Sequence, residues 1–231
     1  MSVPETFHPE FLRPVEHVNK PDPRNLTFVT FDPSIGKDRP LDIKDFHDAV
    51  SEYRLNLTVP EKIVWQFETA KNLYLYAWFV YRFYAICEHQ ALACLELALR
   101  TRYEDEAPKE YRNSDGKLYL KKALRYVIDR GYVRNEGFSI WNETVKRRAI
   151  GRYEQEKRQE MFANGLKEIT YDYSDLEVKD VDRDWNYLEI LFSCLPKIPN
   201  MYAHGSNTLN IQVLSTLEVV SEIINQIYPA D

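Results

Sequence analysis

Glycine is scarce in this chain, with only seven among 231 residues. So few argue against a turn-rich all-β fold and against glycine-lined loops that cradle nucleotide phosphates. Cysteine is scarce too. Cys87, Cys94 and Cys194 form an odd set with no CxxC pair and no companion histidine cluster, so no paired-cysteine metal site is offered. His8, His17 and His47 are scattered, and neither an HExxH pattern nor a GxSxG elbow is present. No metal and no cofactor are expected. Long charge-free runs are missing as well. The most apolar stretch, LYLYAWFVYRFYAIC (residues 73–87), is broken by Arg82 and falls short of the ~18–20 apolar residues that span a bilayer. The opening residues MSVPETFHPEF lack a basic start followed by an apolar stretch, so no secretory signal is read there. Free cysteines and the missing signal together lead us to expect a cytoplasmic protein without membrane contact.

Aromatic residues, by contrast, are abundant: sixteen Tyr, eleven Phe and four Trp, enough to fill a sizeable core. Their spacing is helical. From Pro60 to about Tyr103 no Gly or Pro intervenes, and Phe67, Ala70, Leu73, Ala77, Tyr81, Tyr84, Cys87, Ala91 and Cys94 step by three or four. This predicts a very long helix, or two joined by a kink, with Cys87 and Cys94 as small core residues on one face. A second amphipathic helix is expected within 116–133, with Gly131 as its C-terminal cap. A third covers about 138–163, where Gly151 permits a bend. After an acidic connection (165–184), helices are expected over 185–195 and about 207–228. Residues 1–59 read as a proline-rich, mostly irregular arm. Within it NLTFVTFD (25–32) is a short strand or extended segment, and 44–57 holds a short helix. The expected fold is all-α: a helical bundle over 60–231, with a long central helix, preceded by the arm.

Charge is unevenly spread. Between Lys117 and Arg158 stand twelve Lys/Arg against five Asp/Glu, a local balance of +7 that leaves −13 for the rest of a chain of net charge −6. Lys146, Arg147, Arg148, Arg152, Lys157 and Arg158 are the candidates for tracking a phosphate backbone, with Tyr153 placed to stack on a base. Glu154 and Glu156 dilute that field, so a solvated helix face laced with ion pairs is the favoured reading. His89 falls on one helical stripe with Arg82 and Glu96, and is expected to be half-buried beside a polar neighbour.

The long helix ending EHQALACLELALRTRY, the LKKALRYVIDRG helix, and PNMYAHGSNTL leading into an apolar final helix together resemble the HEPN superfamily, the higher eukaryotes and prokaryotes nucleotide-binding domains. The resemblance spans roughly 60–228. It implies a helical bundle that usually dimerises, and in many members a metal-independent ribonuclease. The motif of those members is an arginine, usually followed by a polar residue, and then a histidine with four to six residues between it and the arginine. His204 matches the histidine and Asn200 the polar residue. Where the arginine belongs, this chain has Pro199.

The chemistry explains why that substitution matters. In metal-free cleavage the ribose 2′-OH attacks the neighbouring phosphate, a histidine moves the proton, and a fixed cation offsets charge on the phosphate oxygens. The nearest substitute cation is Lys197. In a continuous helix Lys197 and His204, seven residues apart, would share a face, but Pro196 and Pro199 oppose that continuity. Pro196 is expected to end one helix and Pro199 to sit in the first turn of the next, leaving Lys197 outside. The same residues suit a structural part. A histidine before glycine at a helix end bonds free carbonyls, Asn200 bonds local backbone, and Asn207 caps the final helix.

Two functions follow as expectations. The favoured one is a non-catalytic HEPN-like module that binds a protein partner or a nucleotide-containing ligand, as a homodimer. The alternative is a metal-independent endoribonuclease of the toxin or phage-defence type acting on RNA, with His204 as acid/base and Lys197 as a poor cation.

Overall fold

A computed structural model of the chain describes residues 7–198 and 212–230. Pro199, Asn200, His204 and Asn207 lie outside the described residues. The fold is predominantly helical. A small antiparallel hairpin, β1 (Val29–Asp32) and β2 (Lys37–Pro40), leads into α1 (Ile43–Ser51), α2 (Glu61–Tyr76) and α3 (Phe83–Tyr103). Next come α4 (Leu120–Asp129), α5 (Ser139–Ala163), the short α6 (Asp180–Arg183) and α7 (Tyr187–Cys194). The final helix, α8, spans Val213–Ile227.

The apolar spacing that suggested these helices becomes their packing. α2 and α3 bury Ile63, Phe67 and Ala70 against Ala91, Cys94 and Leu95, and α8 lays Val213, Leu217, Val220 and Ile224 onto α3. α4 packs on the other end of α3 and α7 on α4. α4 ends as expected. Gly131 has φ +67°, Tyr132 N–H donates to Val127 C=O and Gly131 N–H to Ile128 C=O, the double closure that glycine makes possible at a helix end. α5 runs unbroken through Gly151, and only its first half (Trp141, Val145, Ala149) is buried. Arm residues Phe46, Val50 and Val59 belong to the same apolar core as the helices. Among the described residues, no helix is long and apolar enough to cross a membrane.

One expectation is corrected. The segment from Pro60 to Tyr103 is neither one very long helix nor a kinked pair, because the chain reverses between Tyr76 and Phe83. Three contacts set the antiparallel sense: Gln90 Nε2 to Gln66 Oε1 (2.5 Å), Cys94 Sγ to Ile63 O (3.4 Å), and the Tyr74 and Tyr84 rings 5.7 Å apart. No glycine or proline makes this turn. Its backbone is capped by the arm instead. Asn25 Nδ2 donates to Ala77 O (2.8 Å) and Trp78 O (2.9 Å), Asp22 N–H to Trp78 O (2.9 Å), and Arg13 to Phe79 O. On the α3 side the Asp22 carboxylate accepts Tyr81 N–H (3.3 Å) and the Arg24 fork at 2.9 Å. Freed helix-end groups are thus satisfied from more than fifty residues away in sequence.

Candidate functional site

The segment that carries the motif lies between two anchored ends. Upstream, Asn186 caps α7 by accepting Glu189 N–H (3.4 Å), and Leu188, Leu191 and Leu195 are buried. Leu195–Lys197 then forms a single 3-10 turn with Pro196 at its start, so Pro196 does end α7. Lys197 is solvent-exposed on that turn. Downstream, Val213 is fully buried at the head of α8. Of the candidate catalytic residues Lys197, Asn200 and His204, Lys197 alone is among the described residues.

Beside the head of α8 stands a group that reading the sequence missed. Glu88, on α3, is only 3% exposed, and its carboxylate accepts the Thr216 hydroxyl (2.8 Å) from the first turn of α8. A carboxylate in an apolar core requires partners, and Thr216 is one of them. The signal was legible: Glu88 follows Tyr84 by four residues and precedes Ala91 by three, both core positions. On the neighbouring stripe of α3 the expectation for His89 is corrected. His89 is exposed, not half-buried, and Arg82 precedes α3 and pairs with Glu10 on the arm. His89, Ala93, Glu96 and Arg100 line a shallow cavity of about 220 Å³ between α3 and α4. Glu96 closes it at the α4 end by accepting Leu120 N–H (3.1 Å). The cavity therefore already holds a negative charge at the helix start.

Cys87 lies next to Glu88. Burial first, and the Glu88 charge second, push its thiol well above the ordinary value; burial pushes Cys94 up to about 12. Neither is a thiolate near neutral pH, so neither is a nucleophile.

The mid-chain cations are largely engaged within the fold. Arg152 forks onto Asp182, with Nε to Oδ1 at 3.0 Å and a terminal nitrogen to Oδ2 at 2.8 Å, and also reaches Glu177 O (2.6 Å) and Glu156 (3.2 Å). The guanidinium holds the Asp182 carboxyl below the usual carboxylate range. Arg148 donates to Asp184 O (2.8 Å), Lys157 pairs with Glu160 (2.9 Å), and Arg147 and Arg158 stand 3.9 Å from Glu143 and Glu154. Lys146 is exposed, with no ion pair among the described residues. Tyr153, the candidate base-stacking ring, ties its hydroxyl to Asp172 O (2.7 Å) and tilts against Tyr173. The cleft here, about 260 Å³, is lined by Arg152, Lys157 and Lys179 but equally by Glu156, Glu160 and Glu177. A charge-balanced cleft of this kind anchors the returning chain. It does not concentrate the positive field that a polyanion needs.

Among the described residues no group of three or more His, Cys, Asp or Glu side chains is placed to hold a metal ion. The chain matches no family model, no curated protein and no solved structure.

Proposed function

We propose that this chain is a divergent, non-catalytic HEPN-like module that acts as a homodimer and docks a protein partner. The observation that carries the reading is where its apolar surface lies. Ten of the twenty exposed large apolar residues among the described residues fall between Phe11 and Leu57, in the arm and hairpin. Exposed apolar side chains at this density along the arm supply surface that a protein partner can cover. Most of the mid-chain cations, by contrast, are paired within the fold, which favours a protein partner over a nucleotide-containing one. Pro199 stands where the resemblance requires a cation for phosphate chemistry.

The test is an RNA-cleavage assay in EDTA, run beside Pro199→Arg and His204→Ala. The expected result is no cleavage by the natural chain, and cleavage gained by Pro199→Arg. Cleavage by the natural chain that His204→Ala abolishes would establish the endoribonuclease instead and overturn the proposal.

A further inference from the structure

We propose that the free edge of β1 pairs antiparallel with the same edge of a second copy of this chain, merging two hairpins into one four-stranded sheet. This rests on the reading of the chain as a dimeric docking module and names the surface that joins the copies.

The hairpin register pairs Val29 with Pro40, Thr30 with Arg39, Phe31 with Asp38 and Asp32 with Lys37. Leu41 N–H donates to Phe28 C=O at 3.0 Å, which fixes the phase of the ladder. Thr30/Arg39 and Asp32/Lys37 are then the hydrogen-bonded pairs. At Val29, Phe31, Asp38 and Pro40 the main-chain groups point away from the hairpin.

The two outer edges differ. On β2, Pro40 has no N–H to offer, its carbonyl already accepts the Arg39 guanidinium (3.0 Å), and Lys37, Asp38 and Arg39 line the strand. Proline and charge are the usual guards of a sheet edge. β1 (VTFD) has neither proline nor lysine. The N–H and C=O groups of Val29 and Phe31 have no hydrogen-bond partner among the described residues. The two residues are 63% and 60% exposed, and β2 is the strand paired with β1.

This edge is its own complement. With the two-fold axis at Thr30, Val29 faces Phe31 of the second copy and Phe31 faces its Val29, each pair exchanging both N–H···O=C bonds. Both are apolar–aromatic cross-strand pairs, a favourable class. Asp32 ends opposite Phe28 of the second copy, so no like charges meet. Neighbouring registers fail. Centring on Phe31 sets Val29 against Pro33, which has no N–H, and centring on Val29 runs Phe31 against Thr27, part of a 3-10 turn. An unrelated extended peptide would satisfy the backbone alone; a second copy satisfies backbone and side chains together.

The Thr30 pair is the test. It is a non-hydrogen-bonded pair, with Cα atoms about 4.5 Å apart, within the range that a disulfide spans. Cys194 is the exposed native thiol, so the background is Cys194→Ser. Under mild oxidation Thr30→Cys is expected to give a covalent dimer on a non-reducing gel, while Asp38→Cys on the guarded edge stays monomeric. Phe31→Lys, at an exposed position, is expected to move the light-scattering mass from about twice 27.4 kDa to 27.4 kDa with helical circular dichroism unchanged. A dimeric mass that Phe31→Lys leaves intact, with no Thr30→Cys crosslink, overturns the β1 edge and leaves the dimeric reading standing. Equal crosslinking of Thr30→Cys and Asp38→Cys also overturns it. A monomeric natural chain overturns both.

Discussion

Asn25→Ala tests the clasp that turns the chain between α2 and α3. Asn25 is fully buried, its amide donates to Ala77 O and Trp78 O, and its oxygen accepts the Tyr84 hydroxyl (3.2 Å). Trp78 O keeps the Asp22 N–H. Truncation therefore strands chiefly the Ala77 carbonyl and the Tyr84 hydroxyl in a buried place. A stranded buried group costs about 1–3 kcal/mol, so the pair is expected to cost about 3 kcal/mol after partial relaxation. For a chain of this length each kcal/mol lowers Tm by about 2–4 °C, giving a fall of about 6–12 °C by calorimetry. Hydrogen exchange should speed up at the Tyr81 and Trp78 amides, where the clasp holds the turn. Leu26→Ala, next door but exposed, should shift stability by no more than ~0.5 kcal/mol. An Asn25→Ala variant melting within about 1 °C of the natural chain would refute the account of the turn, since the stranded groups carry the whole cost.

Three further outcomes follow from other contacts. A Cβ at Gly137 would stand 2.1 Å from the Gln226 amide carbon, and Gln226 Oε1 accepts Arg134 N–H (2.8 Å). The flexible Gln226 side chain must swing aside and give up that bond, so Gly137→Ala should cost about 0.5–1.5 kcal/mol in a urea titration, and less in a Gln226→Ala background; strict additivity would contradict the clash. Asp45 takes both arms of Arg39 at 2.7 Å, and the guanidinium holds its carboxyl down to about 2. A lowered folded value stabilises above the unfolded value of about 3.9 and loses that stabilisation as pH falls toward 2, so Asp45→Asn should flatten the acid side of the Tm–pH curve. An acid limb as steep as the natural one would be the contrary result. Ellman's reagent at pH 8 should label Cys194 in the native chain and reach Cys87 and Cys94 in denaturant alone; rapid labelling of all three would contradict their burial.

Legibility in the sequence followed the reach of each interaction. α5 and the Gly131 closure of α4 were read nearly to the residue, because periodicity and capping act within a turn or two. The reversal at residues 77–82 was not, because the Asn25, Asp22 and Arg13 groups that cap it are remote in sequence and the turn has no glycine or proline. β1 was recognised as extended, but its partner KDRP has no apolar alternation and went unread. The ion-paired reading of the basic stretch had a local basis in Glu154 and Glu156. The decisive partner of Arg152, Asp182, lies thirty residues on and leaves no spacing signal. At the candidate site, Pro196 announced the end of α7 correctly. Glu88 is hard to read because a single carboxylate in an apolar helix resembles an exposed interruption, and only its phase with Tyr84 and Ala91 marks it as buried.

The most direct measurement is the solution mass of the natural chain by light scattering at micromolar concentration. A module that works in pairs should scatter as about twice 27.4 kDa. A single-chain mass at that concentration would contradict it.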